Sequence, residues 1–509
     1  MLAPTRTAPA AGAGRARRRW PLSIDRPTGL LIAITVVGAG LRFATLTDQS
    51  YWLDEAQAVH EVGLSFGGML HAWRGYEGNP PLYLIVGWIW TRIFGNGEAG
   101  LRSLSAVLGV GVVPLIYVSG RELVSRRAGL VAAAFAAVNP FLIWYSQEAR
   151  EYMLLVFTCA ASLAFFARSW RRGRRQDLVW WALFSGLGLL TQYFAGFLVA
   201  AEGILLVYRL RSRASLLALG AMGVLEAALV PHVTSLLARP PEFIVSVPLS
   251  VRLQQVPVSF AMNTLYQTGI VTYGLIGAAA LAAVVIALLV AGAGDRELRG
   301  AGLSALLAAT VLVVPLLLAL TGHDDYIARG LLPAWAPLAI TMAAAATAAR
   351  ARAAGAALAI AMLGVFIYAG VRIDGDPGLQ KVNWRGVAAD LGQARRPRAI
   401  VIVAYDGIFA TAPLSLYLPG VAWAGPGPAP APAAATVSEV DVIGGAGDQV
   451  SRAPRDMRLL ARRSVDGYEV ERFALAAPWR LSPDQIGIRA GRLMTPAPAH
   501  PAVLIQPAR

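Results

Sequence analysis

The sequence predicts a mainly α fold: a polytopic bundle of membrane-spanning helices, about eleven by residue pattern, followed by a small extracytoplasmic α/β domain. Three observations carry that prediction. Of 509 residues, 56% are hydrophobic and only 15% charged, with mean hydropathy +0.55, whereas soluble domains carry about 25% charge. The apolar residues fall into runs near the ~20 residues a spanning helix needs. Arginines concentrate in the short segments between alternate runs, as expected for loops that stay in the cytoplasm. The net charge of +15 is thereby explained by topology; no basic domain with interleaved aromatics exists to bind nucleic acid. Cys159, the single cysteine, excludes an intrachain disulfide. The Arg, Ala and Gly bias fits a bacterial source.

Residues 1–27 are rich in Pro, Ala and Arg and are expected to be a disordered, basic, cytoplasmic segment. The first apolar run, 28–46, reads as an uncleaved anchor, because no small-x-small cleavage pattern follows it; a cleaved signal peptide is the alternative. Pro80 to Phe94 is apolar but short and rich in Trp and Tyr, which predicts an interfacial helix. If it spanned, every later arginine cluster would face outward. The remaining spans are then 101–119, 129–144, 152–167, 178–191, 193–208, 215–233, 268–292, 301–320, 331–349 and 354–371. This arrangement makes 28–371 a transmembrane module with outer-face loops at 47–100, 145–152, 234–266 and 321–330. Residues 372–509 form an extracytoplasmic tail, with an amphipathic helix at 383–393, strands at 399–404 and 468–474, and a Pro/Ala linker at 425–435.

The outer loops gather the polar residues with chemical potential. Asp54 and Glu55 follow Tyr51-Trp52 in the first loop. As a bland reading they are a solvated pair or a helix cap; as a functional one, Asp54 accepts a proton from a hydroxyl nucleophile, as in inverting sugar transfer. The turn at 145–152 supplies Tyr145, Glu148, Arg150 and Tyr152, and the loop at 321–330 supplies Asp325 and Arg329. A guanidinium fork matches phosphate oxygens, so Arg102, Arg150 and Arg329 at the outer boundary are candidate ligands of a lipid phosphate. A divalent metal is compatible with the carboxylates, but no HExxH or paired Cys/His spacing appears, and no metal site is assigned. Glu202 and Glu226 lie within spans and should face protein or water.

Several stretches together carry a family resemblance: YWLDEAQ (51–57), NPPLYLIVGWIWTRIFG (79–95), LRSLSAVLGV (101–110), GRELVSRRAGLVAAAFAAVNPFLIWYSQEAREYMLL (120–155), DDYIARGLLPAWAPLAI (324–340) and NWRGVAADL (383–391). In this order the chain resembles the bacterial GT-C glycosyltransferases of the family 39 type, relatives of the protein O-mannosyltransferases and of the aminoarabinose transferases that modify lipid A. The resemblance implies an acidic catalytic base in the first outer loop, which falls on Asp54 with Glu55 adjacent, and a polyprenyl-phosphate sugar as donor. The acceptor would be a hydroxyl of a cell-envelope glycan, lipid or protein, reached at the outer face of the cytoplasmic membrane. Where relatives carry Arg-Tyr, this chain has Arg329-Gly330. A transporter or flippase of lipid-linked saccharides is the rival reading; it would favour ionisable residues near the midplane and pseudo-symmetric halves.

Overall fold

The computed structural model describes residues 25–508, except 77, 238–241, 407, 426–433, 446–452, 466 and 494–500. The expected N-terminal segment and most of the Pro/Ala linker therefore lie outside the described residues. The chain opens with α1 (Arg26–Phe43), followed by three short helices, α2 (Leu53–Gly63), α3 (Phe66–Tyr76) and α4 (Leu82–Phe94). Then come α5 (Glu98–Leu123), α6 (Arg126–Val138), α7 (Pro140–Ser146), α8 (Tyr152–Arg172), α9 (Arg175–Leu189), α10 (Ala195–Leu210) and α11 (Arg213–Leu237). After α12 (Glu242–Val245) and α13 (Leu249–Met262), the bundle closes with α14 (Gly274–Gly292), α15 (Asp295–Leu320), α16 (Trp335–Ala346) and α17 (Arg352–Asp374).

Among the described residues, 7 helices are long and apolar enough to cross a membrane, or 8 if the bent pair α6 and α7 is one span. The other expected spans are α9, α10 and α16, of 15, 16 and 12 residues, each shorter than the ~20 that cross unaided. The chain is a multi-pass membrane protein. The expected continuous span at 129–144 is instead broken, with a 58° bend. Pro140 supplies no N–H to the preceding turn, and Asn139 caps α7 by accepting from the Leu142 amide. Arg42 of α1, wholly buried, donates to the carbonyls of Ala136 and Ala137 that the break orphans, both at 2.9 Å. The α5–α6 crossing is close because it is glycine on glycine: a Cβ on Gly120 would lie 2.8 Å from the Gly129 Cα.

Residues 234–266, expected as a polar loop, are largely helical. In α13, Val256 and Phe260, four residues apart on one face, are buried along with Val258, and burying an apolar face stabilises a helix that composition alone reads as polar. The short α4 has 13 residues, with Ile89, Ile93 and Phe94 exposed. Glu202 faces protein, accepting from Ser162 Oγ and from Trp181 Nε1 at 2.8 Å.

The tail is an α/β unit. It begins with α18 (Trp384–Leu391), β1 (Arg398–Asp406) and α19 (Ile408–Tyr417), and continues with β2 (Ala435–Gly444), β3 (Met457–Val465), β4 (Tyr468–Leu481), α20 (Pro483–Gly491) and β5 (Pro501–Gln506). The sheet order is β3-β4-β2-β1-β5; β1 pairs parallel with β2 and antiparallel with β5. Along β1, Ile400 and Ile402 pack under α18 and α19, while Ala399 and Val401 pack under α20, as the period of 2 requires. The tail is pinned to the segment between α1 and α5. Tyr417 Oη accepts from the Tyr51 amide at 2.7 Å and donates to Glu98, and Trp423 stacks on His60 at 4.4 Å.

Candidate active site

Asp54 and Glu55 occupy the first turn of α2, whose partial positive charge favours carboxylates. Successive helical residues diverge by about 100° around the axis, so adjacent acids face different surroundings. Glu55 points inward and is wholly buried. Arg102 grips it with two parallel bonds of 2.7 Å, Lys381 Nζ lies 3.1 Å away, and the Ala149 amide donates at 2.8 Å. Burial alone would raise its pKa, but Arg102, Lys381 and these hydrogen bonds outweigh burial and hold it at about 2. Because that lies below the ordinary 4.5, the carboxylate's contribution to stability is complete above 4.5 and is lost as pH falls toward 2. Tryptophan fluorescence should show an acid transition in that window, and Glu55→Gln should flatten it.

Asp54 faces the other way, with its side chain 23% exposed, and meets Arg329 at 3.3 Å. Arg329 in turn lies over the Tyr152 ring, 5.7 Å from its centre. The ring of Tyr145 packs against Tyr152 at 4.8 Å. Beside this group is a cavity of about 380 Å³ whose walls include Trp52, Trp144, Tyr145, Glu148, Arg329 and Lys381. Its lining also includes Asn263 and Thr264, just after α13, and Trp384 and Phe409 of the tail. Four polar atoms at the cavity residues are buried without a hydrogen-bond partner among the described residues: Trp52 Nε1, Glu148 Oε1, Asn263 Nδ2 and Thr264 Oγ1. Asn263 also has φ +49°, a left-handed conformation unusual outside glycine. Buried polar groups are normally satisfied, which sets these four apart from the rest of the lining.

Of the residues singled out from sequence, Asp54, Tyr145, Glu148, Tyr152 and Arg329 come together here. Burial raises the Glu148 pKa first, with Lys381 pulling it down and the Glu55 and Asp54 charges pushing it up. Arg102 is not open to a phosphate: besides Glu55, its guanidinium donates to the carbonyls of Leu46, Gln49 and Ser50. Arg150 is buried in an ion pair with Glu151 at 2.9 Å. Asp325 is not among the cavity-lining residues; its charged neighbours are Asp324 and His323, and Asp324 pairs with Arg252. No group of three or more His, Cys, Asp or Glu converges as a metal set among the described residues.

Sequence reasoning missed Lys381. It is the only lysine among 45 basic residues; it joins Glu55 to Glu148, at 3.1 and 3.4 Å, and lies between the rings of Trp52 and Trp144. That singularity was the available signal. At Gly330, a Cβ would meet the Phe194 ring at 3.1 Å, so an aromatic side chain reaches this position from α10's leading turn instead.

Residues 78–234 match the family model of dolichyl-phosphate-mannose-protein mannosyltransferases. No curated protein matches the chain by sequence. The structure is similar to that of ArnT from Cupriavidus metallidurans in the apo state, at TM-score 0.52 and 13% identity, covering 87% of this chain and 98% of that one. The same protein bound to undecaprenyl phosphate matches with TM-score 0.52, 14% identity and the same coverage. The chain has the fold of these structures, an ArnT-like GT-C fold. Within that fold, the site lies where the segment between α1 and α5, the 147–151 turn, the Arg329 loop and the tail converge. An archaeal oligosaccharyltransferase from Archaeoglobus fulgidus overlaps less, at TM-score 0.42 and 14% identity, covering 71% of this chain and 57% of that one.

Proposed function

We propose that this protein transfers a sugar, with inversion, from a polyprenyl-phosphate donor to a hydroxyl of a cell-envelope glycan, lipid or protein at the outer face of the cytoplasmic membrane. The observation that carries the reading is the cavity, which joins two cations, Arg329 and Lys381, to four unsatisfied polar atoms beside the Asp54 carboxylate. Trp52, Asn263, Thr264 and Glu148 offer both donors and an acceptor, the complement of a polyhydroxyl sugar. Asp54 takes the proton of the acceptor hydroxyl; the oxygen bonds to the anomeric carbon, and the bond to phosphate oxygen breaks with its electron pair leaving on the phosphate. Arg329 and Lys381 stabilise that growing charge. A phosphate at Arg329 competes with Asp54 for the guanidinium, so donor binding frees the base. Glu55, Arg102 and Arg150 hold the loop in place. The undecaprenyl phosphate of the ArnT complex supports a lipid-phosphate donor.

The test is the purified full-length protein in liposomes with a polyprenyl-phosphate sugar and a hydroxyl acceptor. Transfer is expected, and Lys381→Met should lower it about ten- to hundredfold, the loss of one charge-assisted phosphate contact, with Lys381→Arg restoring part. Movement of the lipid-linked sugar across the membrane without transfer would refute the enzyme reading.

The proposed orientation has its own measurement, aided by the burial of Cys159. A cysteine at exposed Arg458 of the tail should react with an impermeant maleimide in intact spheroplasts. One at exposed Arg350 should react only after permeabilisation; the reverse pattern would invert the topology.

A further inference from the structure

The strongest concentration of unbalanced charge lies at the other end of α5. A cleft of about 470 Å³ is lined by Arg121, Arg126, Arg171, Arg172 and Arg296, with Glu122 as its one carboxylate. Glu122 is buried and shared by three of these arginines: Arg121 and Arg171, each at 2.9 Å, and Arg172. No ion pair joins Arg126 or Arg296 to a carboxylate among the described residues, and both are exposed. Arginines spread along a cytoplasmic loop need no explanation beyond topology. Five guanidinium groups brought together from α5, α6, α8 and α15 around one buried acid are different: mutual repulsion opposes the arrangement unless an anion joins it.

Position narrows the anion. Glu122 and Arg102 are 20 residues apart on one helix, about 30 Å at 1.5 Å per residue, which is the thickness of the hydrocarbon core. The cleft therefore lies at the membrane boundary opposite the catalytic cavity, at headgroup depth. The helix that carries Arg296 exposes Leu306, Val313 and Leu317 on one stripe further along its length, a surface for acyl chains. We infer that this cleft binds the phosphate headgroup of an anionic membrane phospholipid, a ligand site separate from the donor cavity. Glu122 serves to hold three guanidinium groups in place before the lipid arrives, and Arg126 and Arg296 supply the remaining contacts.

The test uses the full-length protein in nanodiscs of phosphatidylcholine with a minor fraction of phosphatidylglycerol, read by native mass spectrometry of retained lipid. The wild type should retain phosphatidylglycerol over phosphatidylcholine. The double variant Arg126→Gln/Arg296→Gln, which leaves the Glu122 cluster intact, should lose that retention by about tenfold or more. Arg126→Lys/Arg296→Lys should recover part of it, and Arg127→Gln, outside the cleft, should behave as wild type. Equal retention by wild type and the glutamine variant would overturn the site. Displacement of the lipid by inorganic phosphate would assign the cleft to a soluble anion and overturn the lipid assignment.

Discussion

Asp54→Asn is expected to reduce sugar transfer by about 10²–10⁴-fold, the range of a lost general base, with the thermal unfolding midpoint little changed. The two halves of that expectation come from different neighbours. Asp54 is partly exposed and its ion pair with Arg329 is 3.3 Å long, so the isosteric amide disturbs little; pairs of that kind are worth about 0–1 kcal/mol. The carboxylate's basicity, by contrast, has no substitute on that side of the loop, since Glu55 is sealed against Arg102. Donor binding should persist in the variant, because Arg329 and Lys381 remain. Full turnover by the asparagine variant would remove Asp54 from the mechanism; loss of both turnover and fold would instead give it a structural role.

Arg102→Met should show the opposite pattern, with loss of stability first and activity only as a consequence. The substitution removes both 2.7 Å bonds from Glu55 and abandons the carbonyls of Leu46, Gln49 and Ser50. It leaves a buried carboxylate to Lys381 and one amide. Breaking a buried pair from one side costs about 3–5 kcal/mol, whereas replacing both partners by apolar groups is often neutral. Arg102→Met/Glu55→Leu should therefore recover part of the midpoint lost by Arg102→Met. A double variant as unstable as the single one would mean that the carbonyl contacts, not the ion pair, hold the loop.

The two predictions also show how far residue pattern alone reaches. Asp54 and Glu55 are indistinguishable in a string of letters, since both are acids behind a Tyr-Trp pair; only the facing of α2 separates a partly exposed carboxylate from a buried one. Arg102, Arg150 and Arg329 likewise shared one expectation, a phosphate ligand at the outer boundary. Tertiary contacts divided them, because Arg102 and Arg150 are buried against Glu55 and Glu151 away from the cavity, while Arg329, besides meeting Asp54, lines it. Lys381 was legible as the only lysine, but its partners lie more than 200 residues away in sequence, and no local pattern points to them.

What the sequence by itself determined is the membrane bundle and the α18, β1 and β4 segments of the tail. These follow from interactions within a few residues: apolar run length, capping, and alternation along a strand. Only the tertiary structure decided which polar residues share a cavity, that the tail supplies one of its walls, and that five arginines meet around Glu122. Those outcomes depend on long-range packing and on the direction each side chain takes from its helix, and neither is encoded in spacing along the chain.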